Sequence, residues 1–219
     1  MKKYLEMLKK VTLFEGINDN DLQSLLPCLS ARVVHYDKNQ TIFLNSEKSI
    51  NVGIVLSGQV HIIKEDYYGN RHIIANIDEG NLFGETFACA DIKVLPVSAF
   101  ATTESEILFI NYSRIITPCT NACAFHSKLI YNMLRIVSMK NIILNQKIEF
   151  TSKRTTREKL LAYLCVEAQK CNNNSFSIPF NRQELADYLS VDRSAMSAEI
   201  CKLRDDGVLK FNKNRFELL

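Results

Sequence analysis

Residues 181–203 read NRQELADYLSVDRSAMSAEICKL, a stretch that divides into two short helices with a tight turn between them. In the first helix Leu185, Ala186 and Leu189 form an apolar face behind Asn181, whose side chain suits a helix cap. Ser190 and Val191 make the turn. Asp192 caps the second helix, where Met196, Ile200 and Leu203 recur at helical spacing. The opposite face carries Arg193, Ser194, Ser197 and Lys202, which are short or basic. A helix with a small polar outer face, braced by a second helix, fits a DNA major groove. The same spacing also fits a plain helical hairpin within a core.

Flanking residues extend this pattern. Residues 207–219 alternate apolar and polar around Asn212, Lys213 and Asn214, as in a hairpin with a basic tip that reaches phosphates. Upstream, Thr155 caps a helix carrying Leu160, Leu161, Leu164 and Val166, and residues 176–180 resemble a short strand. The 219-residue chain has a net charge of +3. Residues 151–219 hold 12 Lys and Arg against 9 Asp and Glu, whereas residues 1–150 hold 15 of each. The whole basic excess therefore lies with the helical pair, as phosphate contact requires, although it is a small one.

Residues 118–150 are expected to form one long helix, with Pro118 in its first turn. Ile130, Leu134, Val137, Asn141, Leu144 and Ile148 step by four and three, the spacing of a coiled-coil seam. Leu129, Met133, Ile136 and Ile143 form a second stripe beside it. One stripe can pair with a twin helix while the other packs on the preceding domain. A single wide core-facing stripe is the other reading. Asn141 favours pairing, because a lone seam Asn sets register, whereas a monomer core prefers an apolar residue. The segment Phe150 to Lys153 breaks the pattern and is expected to be a hinge.

Residues 31–110 change character. Short β-rich runs recur between turns at Gly58, Gly69 and Gly80, which suggests a β-roll or jelly roll. Within it, Phe83, Gly84, Glu85 and Thr86 lead into a short helical stretch. That segment could hold a small ligand, or serve simply as a strand-to-helix turn. Residues 1–30 read as two helical pieces that cover the roll, the second capped by Asp19 or Asn20.

No apolar run has the length of a membrane span, and the first residues lack a signal-peptide core, so the expected location is the cytoplasm with no membrane partner. Seven cysteines fit free thiols there. Cys28, Cys89, Cys165, Cys171 and Cys201 are scattered. Cys119 and Cys123 are the close pair, with His126 nearby, which is an incomplete ligand set for a metal.

Four segments in this order resemble the CRP/FNR family of bacterial transcription factors, the cyclic-AMP receptor and fumarate–nitrate regulator type. They are residues 53–60 (GIVLSGQV), residues 82–85 (LFGE), the long helix, and RQELA from Arg182 with DRSAMS from Asp192. Residues 140–149 and 154–160 look especially like clostridial-type members. The resemblance implies an α+β chain with an effector-binding, cyclic-nucleotide-binding-like β-roll over residues 1–117. A dimerisation helix over 118–150 and a winged helix-turn-helix over 151–219 would follow. It implies a homodimer without enzymatic activity that binds double-stranded DNA and works with RNA polymerase. With the outer face of the second helix and the hairpin tip, the candidate DNA contacts are Arg182, Gln183, Asp192, Arg193, Ser194, Ser197, Lys202 and Lys213. The effector contacts fall on Phe83, Gly84, Glu85, Thr86, Val97 and Ser98.

Departures from the family pattern narrow the effector. Members that bind cyclic AMP hold its phosphate with an Arg-Ser or Arg-Thr pair, where this chain has Val97 and Ser98. Without that guanidinium, cyclic AMP is not the expected effector, and its identity stays unknown. Cys28 alone near the N-terminus excludes an iron–sulfur cluster of the family's type. The isolated His35, His61, His72 and His126 read first as structural residues, and they leave haem as an open alternative. In the reading helix, Ser194 and Ala198 stand where members carry longer polar side chains, which changes the expected operator. A cupin-like β-roll enzyme is the alternative, but it needs a His-x-His set with Glu and a further His that this chain lacks. A ligand-sensing module without DNA binding is another, and the helical pair and basic hairpin argue against it.

Overall fold

The structure, a computed structural model, describes residues 2–46, 51–69, 71–117 and 124–219. Pro118, Cys119 and Cys123 lie outside the described residues. The chain forms two compact units, one of residues 1–70 with 74–140 and one of residues 71–73 with 141–219.

The first unit opens with α1 (Leu5–Leu8) and α2 (Asp19–Cys28). Asn18 caps α2, accepting from the Asp21 amide at 2.9 Å, in place of the expected Asp19 or Asn20. The reason is conformational: Asn18 is the extended residue, and Asp19 already has helical geometry. Then follow β1 (Arg32–Tyr36), β2 (Thr41–Phe43), β3 (Asn51–Ser57), β4 (Gln59–Glu65), β5 (Arg71–Asp78), β6 (Leu82–Phe83), α3 (Glu85–Cys89), β7 (Ser98–Ala101), β8 (Ser105–Asn111), α4 (Ser113–Ile116) and α5 (Ala124–Thr151).

Two four-stranded sheets, ordered β1-β8-β3-β6 and β2-β7-β4-β5, make the roll. The central strand β3 reads as an almost unbroken apolar run because both of its faces are covered. Val52, Ile54 and Leu56 join a core with the N-terminal helices and α5. Val55 faces a second core with Val60, Val97, Ala99 and Phe109. Two glycines of the 53–60 segment have steric reasons to be there. A Cβ on Gly53 would lie 2.3 Å from the Phe83 ring. Gly58 turns β3 into β4 at φ +86°, and a Cβ there would lie 2.3 Å from the Ser105 hydroxyl oxygen.

On α5, Leu129, Met133 and Ile136 are buried in the first core, as the second stripe predicts. Ile143 is 49% exposed, so that stripe ends sooner than expected. Val137, assigned to the seam, is half-buried against the first core. Asn132, 1% exposed, donates to the Leu13 and Glu15 carbonyls and fastens the helix to the segment before α2.

The second unit contains α6 (Thr156–Cys171), β9 (Ser175–Ser177), α7 (Arg182–Leu189), α8 (Arg193–Asp205), β10 (Leu209–Asn212) and β11 (Arg215–Leu218). Its sheet is ordered β10-β11-β9, with Phe216 opposite both Phe176 and Phe211. Thr155 with Glu158, and Asn181 with Glu184, form reciprocal capping boxes on α6 and α7. Phe150, placed in the expected hinge, is buried with Tyr163 and Tyr188 and belongs to this unit's core. The α5 helix runs on to Thr151, and the helical geometry lapses between there and Thr155.

Candidate nucleic-acid interface and effector site

The α7–α8 pair has the geometry expected of it. Leu185, Ala186, Leu189, Met196, Ile200 and Leu203 are all buried, which fixes α8 against α7 and turns its other face outward. That outer face exposes Arg193, Ser194, Ala198, Cys201 and Lys202, while Ser197 is half-buried. Asp192 caps α8: its carboxylate accepts from the Ala195 amide at 2.8 Å and from the Ser194 hydroxyl. These bonds, that from Ser194 first, hold its pKa below the usual aspartate value. Capping therefore accounts for Asp192, whose charge would repel a phosphate. Lys202 pairs with Glu199 at 2.7 Å, and Gln183 donates to Asp187 at 2.8 Å.

The wing is the β10–β11 hairpin, with Lys213 at its tip in left-handed backbone geometry. Arg182 is half-buried, its guanidinium carbon 5.0 Å from the Phe211 ring centre and 5.1 Å from that of Phe216. It thus braces the start of α7 against the wing through cation–π contact. Lys210 and Arg215, absent from the expected contacts, are exposed on the hairpin. The alternation that reveals the hairpin also puts both on its polar face.

In the first unit, the turn from β6 into α3 carries Phe83, Gly84, Glu85 and Thr86 of the expected effector residues, while Val97 immediately precedes β7 and Ser98 begins it. Phe83 is 1% exposed and lies edge-on to Phe109. Gly84 is left-handed at φ 81° and precedes α3. Glu85 is 2% exposed; its Oε1 accepts from Thr86 Oγ1 at 3.1 Å and from Lys140 Nζ at 2.8 Å. Lys140 also donates to the Leu82 carbonyl at 2.5 Å. Lys140 was not among the expected contacts. A signal existed: Leu129, Met133, Ile136 and Lys140 step by four, three and four, so a lysine continues the roll-facing stripe. Val97 is 6% exposed within the second core, and the Ser98 hydroxyl accepts from the Asn45 amide at 2.9 Å. Neither side chain supplies a cation.

Elsewhere on this unit an open cleft of about 310 Å³ is lined by Lys3, His35, Ser57, Glu104, Ser105 and Glu106, none of them a candidate contact. His35 Nε2 stands 3.6 Å from carboxylate oxygens of Asp37 and Glu104. His61 and His126 are buried, and His72 is half-buried. Among the described residues no three His, Cys, Asp or Glu side chains gather to hold a metal, and no helix is long and apolar enough to cross a membrane.

Residues 33–119 match the cyclic nucleotide-binding domain family, and residues 158–219 match the Crp-like helix-turn-helix domain family. The HTH-type transcriptional regulator ArcR of Staphylococcus epidermidis is 24% identical over 194 residues, spanning 87% of this chain and 84% of its own. The potassium channel KAT1 of Oryza sativa is 27% identical over 112 residues, which are 51% of this chain and 15% of the channel. The solved structure of CLP from Xanthomonas campestris, described as a c-di-GMP-responsive global regulator, shares the fold. Its TM-score is 0.74 at 18% identity, covering 90% of this chain and 99% of that one. A cyclic-nucleotide-binding-type roll followed by a long helix and a Crp-like helix-turn-helix places the chain in the CRP/FNR family of DNA-binding transcriptional regulators.

Proposed function

We propose that the protein is a homodimer that reads an operator with two copies of α8 under the control of a small effector other than cyclic AMP. It works in the cytoplasm as a regulator without catalytic activity, together with RNA polymerase. Residues 1–117 bind the effector, 118–150 pair the chains, and 151–219 bind DNA. The observation that carries the reading is the outer face of α8, exposed and headed by Arg193, beside a wing bearing Lys210, Lys213 and Arg215. Arg193 reads a base edge or a phosphate; Lys202, Ser194, Ser197, Gln183 and the wing cations set register on the backbone. Two such helices on a symmetric dimer meet half-sites about 34 Å apart.

Pairing is supported by the free face of α5, where Ile130, Leu134, Leu144 and Ile148 are 41–65% exposed in the single chain. Asn141 is exposed along the same line. The case against cyclic AMP rests on Val97, a buried apolar residue at the sequence position where the family's cyclic-AMP binders carry the phosphate-binding Arg.

The test is operator selection from genomic fragments followed by Arg193→Ala. Loss of a base-edge contact should weaken specific binding by about 1–3 kcal/mol while leaving non-specific binding nearly as it was. Unchanged specific affinity at matched salt would remove Arg193 from the contacts.

A further inference from the structure

Among the described residues, Glu85 is the one buried carboxylate, 2% exposed. Its Oε1 is held by Lys140 and Thr86, and its Oε2 has no hydrogen-bond partner. A carboxylate so placed is strongly unfavourable unless an opposite charge stands beside it, and the charge here comes from the long helix. Lys140 grips both ends of the β6–α3 turn, taking the Leu82 carbonyl and the Glu85 carboxylate with one ammonium group. The three preceding members of its stripe, Leu129, Met133 and Ile136, bind α5 to the roll by apolar packing alone. At Lys140 the attachment changes from apolar contact to an ion pair.

We infer that the Lys140–Glu85 pair is a latch that holds α5 on the effector turn. An effector then acts on the helix by changing this pair. The inference rests on reading residues 83–86 as the effector site. A separated Glu85 is left buried without its counter-charge, so partly separated positions are disfavoured. That gives the turn and the helix two discrete arrangements, the requirement for a switch.

The experiment is amide hydrogen exchange on the full chain, read over residues 82–89 and 136–144, for wild type, Lys140→Met, Glu85→Gln and the double variant. Lys140→Met should speed exchange over both segments on the order of 100-fold, the consequence of stranding a buried charge. Lys140→Arg should keep most of the protection. The double variant should exchange more slowly than Lys140→Met, because no stranded charge remains. Wild-type protection in Lys140→Met, or effects that simply add in the double variant, would overturn the latch. Operator binding is measured on the same samples. A protein that binds no operator but loses protection in Lys140→Met keeps the latch and loses the DNA-binding reading. One that binds its operator with unaltered exchange in Lys140→Met loses the latch alone.

Discussion

Replacing Leu134 with glutamate sets the seam of α5 against its roll-facing stripe. Leu134 is 65% exposed in the single chain, and its neighbour Met133 is 4% exposed in the first core. If a twin helix covers this face, Leu134 loses roughly 100 Å² of apolar surface to the partner, worth about 2.5 kcal/mol at ~25 cal/mol per Å². Two-fold symmetry doubles the effect to about 5 kcal/mol, a weakening of dimerisation by roughly 10³- to 10⁴-fold. The carboxylate adds repulsion, since symmetry sets each copy near the other. Sedimentation equilibrium over a range of protein concentrations reads the constant directly, with circular dichroism to verify the fold. Leu134→Glu should stay folded and become monomeric, and Met133→Glu should unfold the first unit. A Leu134→Glu protein that dimerises like wild type, or a wild type that is monomeric at every concentration, would refute the seam.

Two further outcomes concern stability. Lys147 stands 3.9 Å from the Tyr188 ring centre, and burial pulls its pKa from 10.5 down to about 8. Between those values the unfolded chain holds a proton that the folded chain has released. Stability should therefore rise with pH from about 8 to 10.5 and fall as pH drops through 8, by at most ~3 kcal/mol. Tyr188, pushed up to about 12 by burial, stays neutral across that window. Urea unfolding of wild type and Lys147→Met should show the slope in the former and its loss in the latter; parallel curves would exclude Lys147. Gly53→Ala should cost about 1–3 kcal/mol, because the new methyl displaces the Phe83 ring from its packing on Phe43 and Phe109. A urea midpoint equal to that of wild type would show that the ring moves freely.

The helix-turn-helix was legible because its determinants act over three or four residues. Asn181 bonds to Glu184, Thr155 to Glu158 and Asp192 to Ala195, and each pair can be read from adjacent letters. The same holds for the apolar faces of α7 and α8 and for the wing. The α2 cap was missed by one residue, since Asn18, Asp19 and Asn20 are all good caps and only backbone geometry chooses among them. Phe150 looked like part of a break because the aromatic groups that bury it, Tyr163 and Tyr188, lie well downstream.

The turn from β6 into α3 divides along the same line. Residues 82–85 and Val97 were singled out by type and order, through their resemblance to the family pattern. That Glu85 is buried and held by a lysine 55 residues away could not be read there, because charge pairing across such a separation leaves no local pattern. Periodicity along α5 marked out two stripes, but it could not say how deeply each position is buried: Ile143 is exposed and Val137 is half-buried. Sequence alone determined what short-range hydrogen bonding and helical or strand period dictate: the elements, their caps and the family pattern. Tertiary structure alone decided burial and charge pairing, because desolvation depends on which distant surfaces meet.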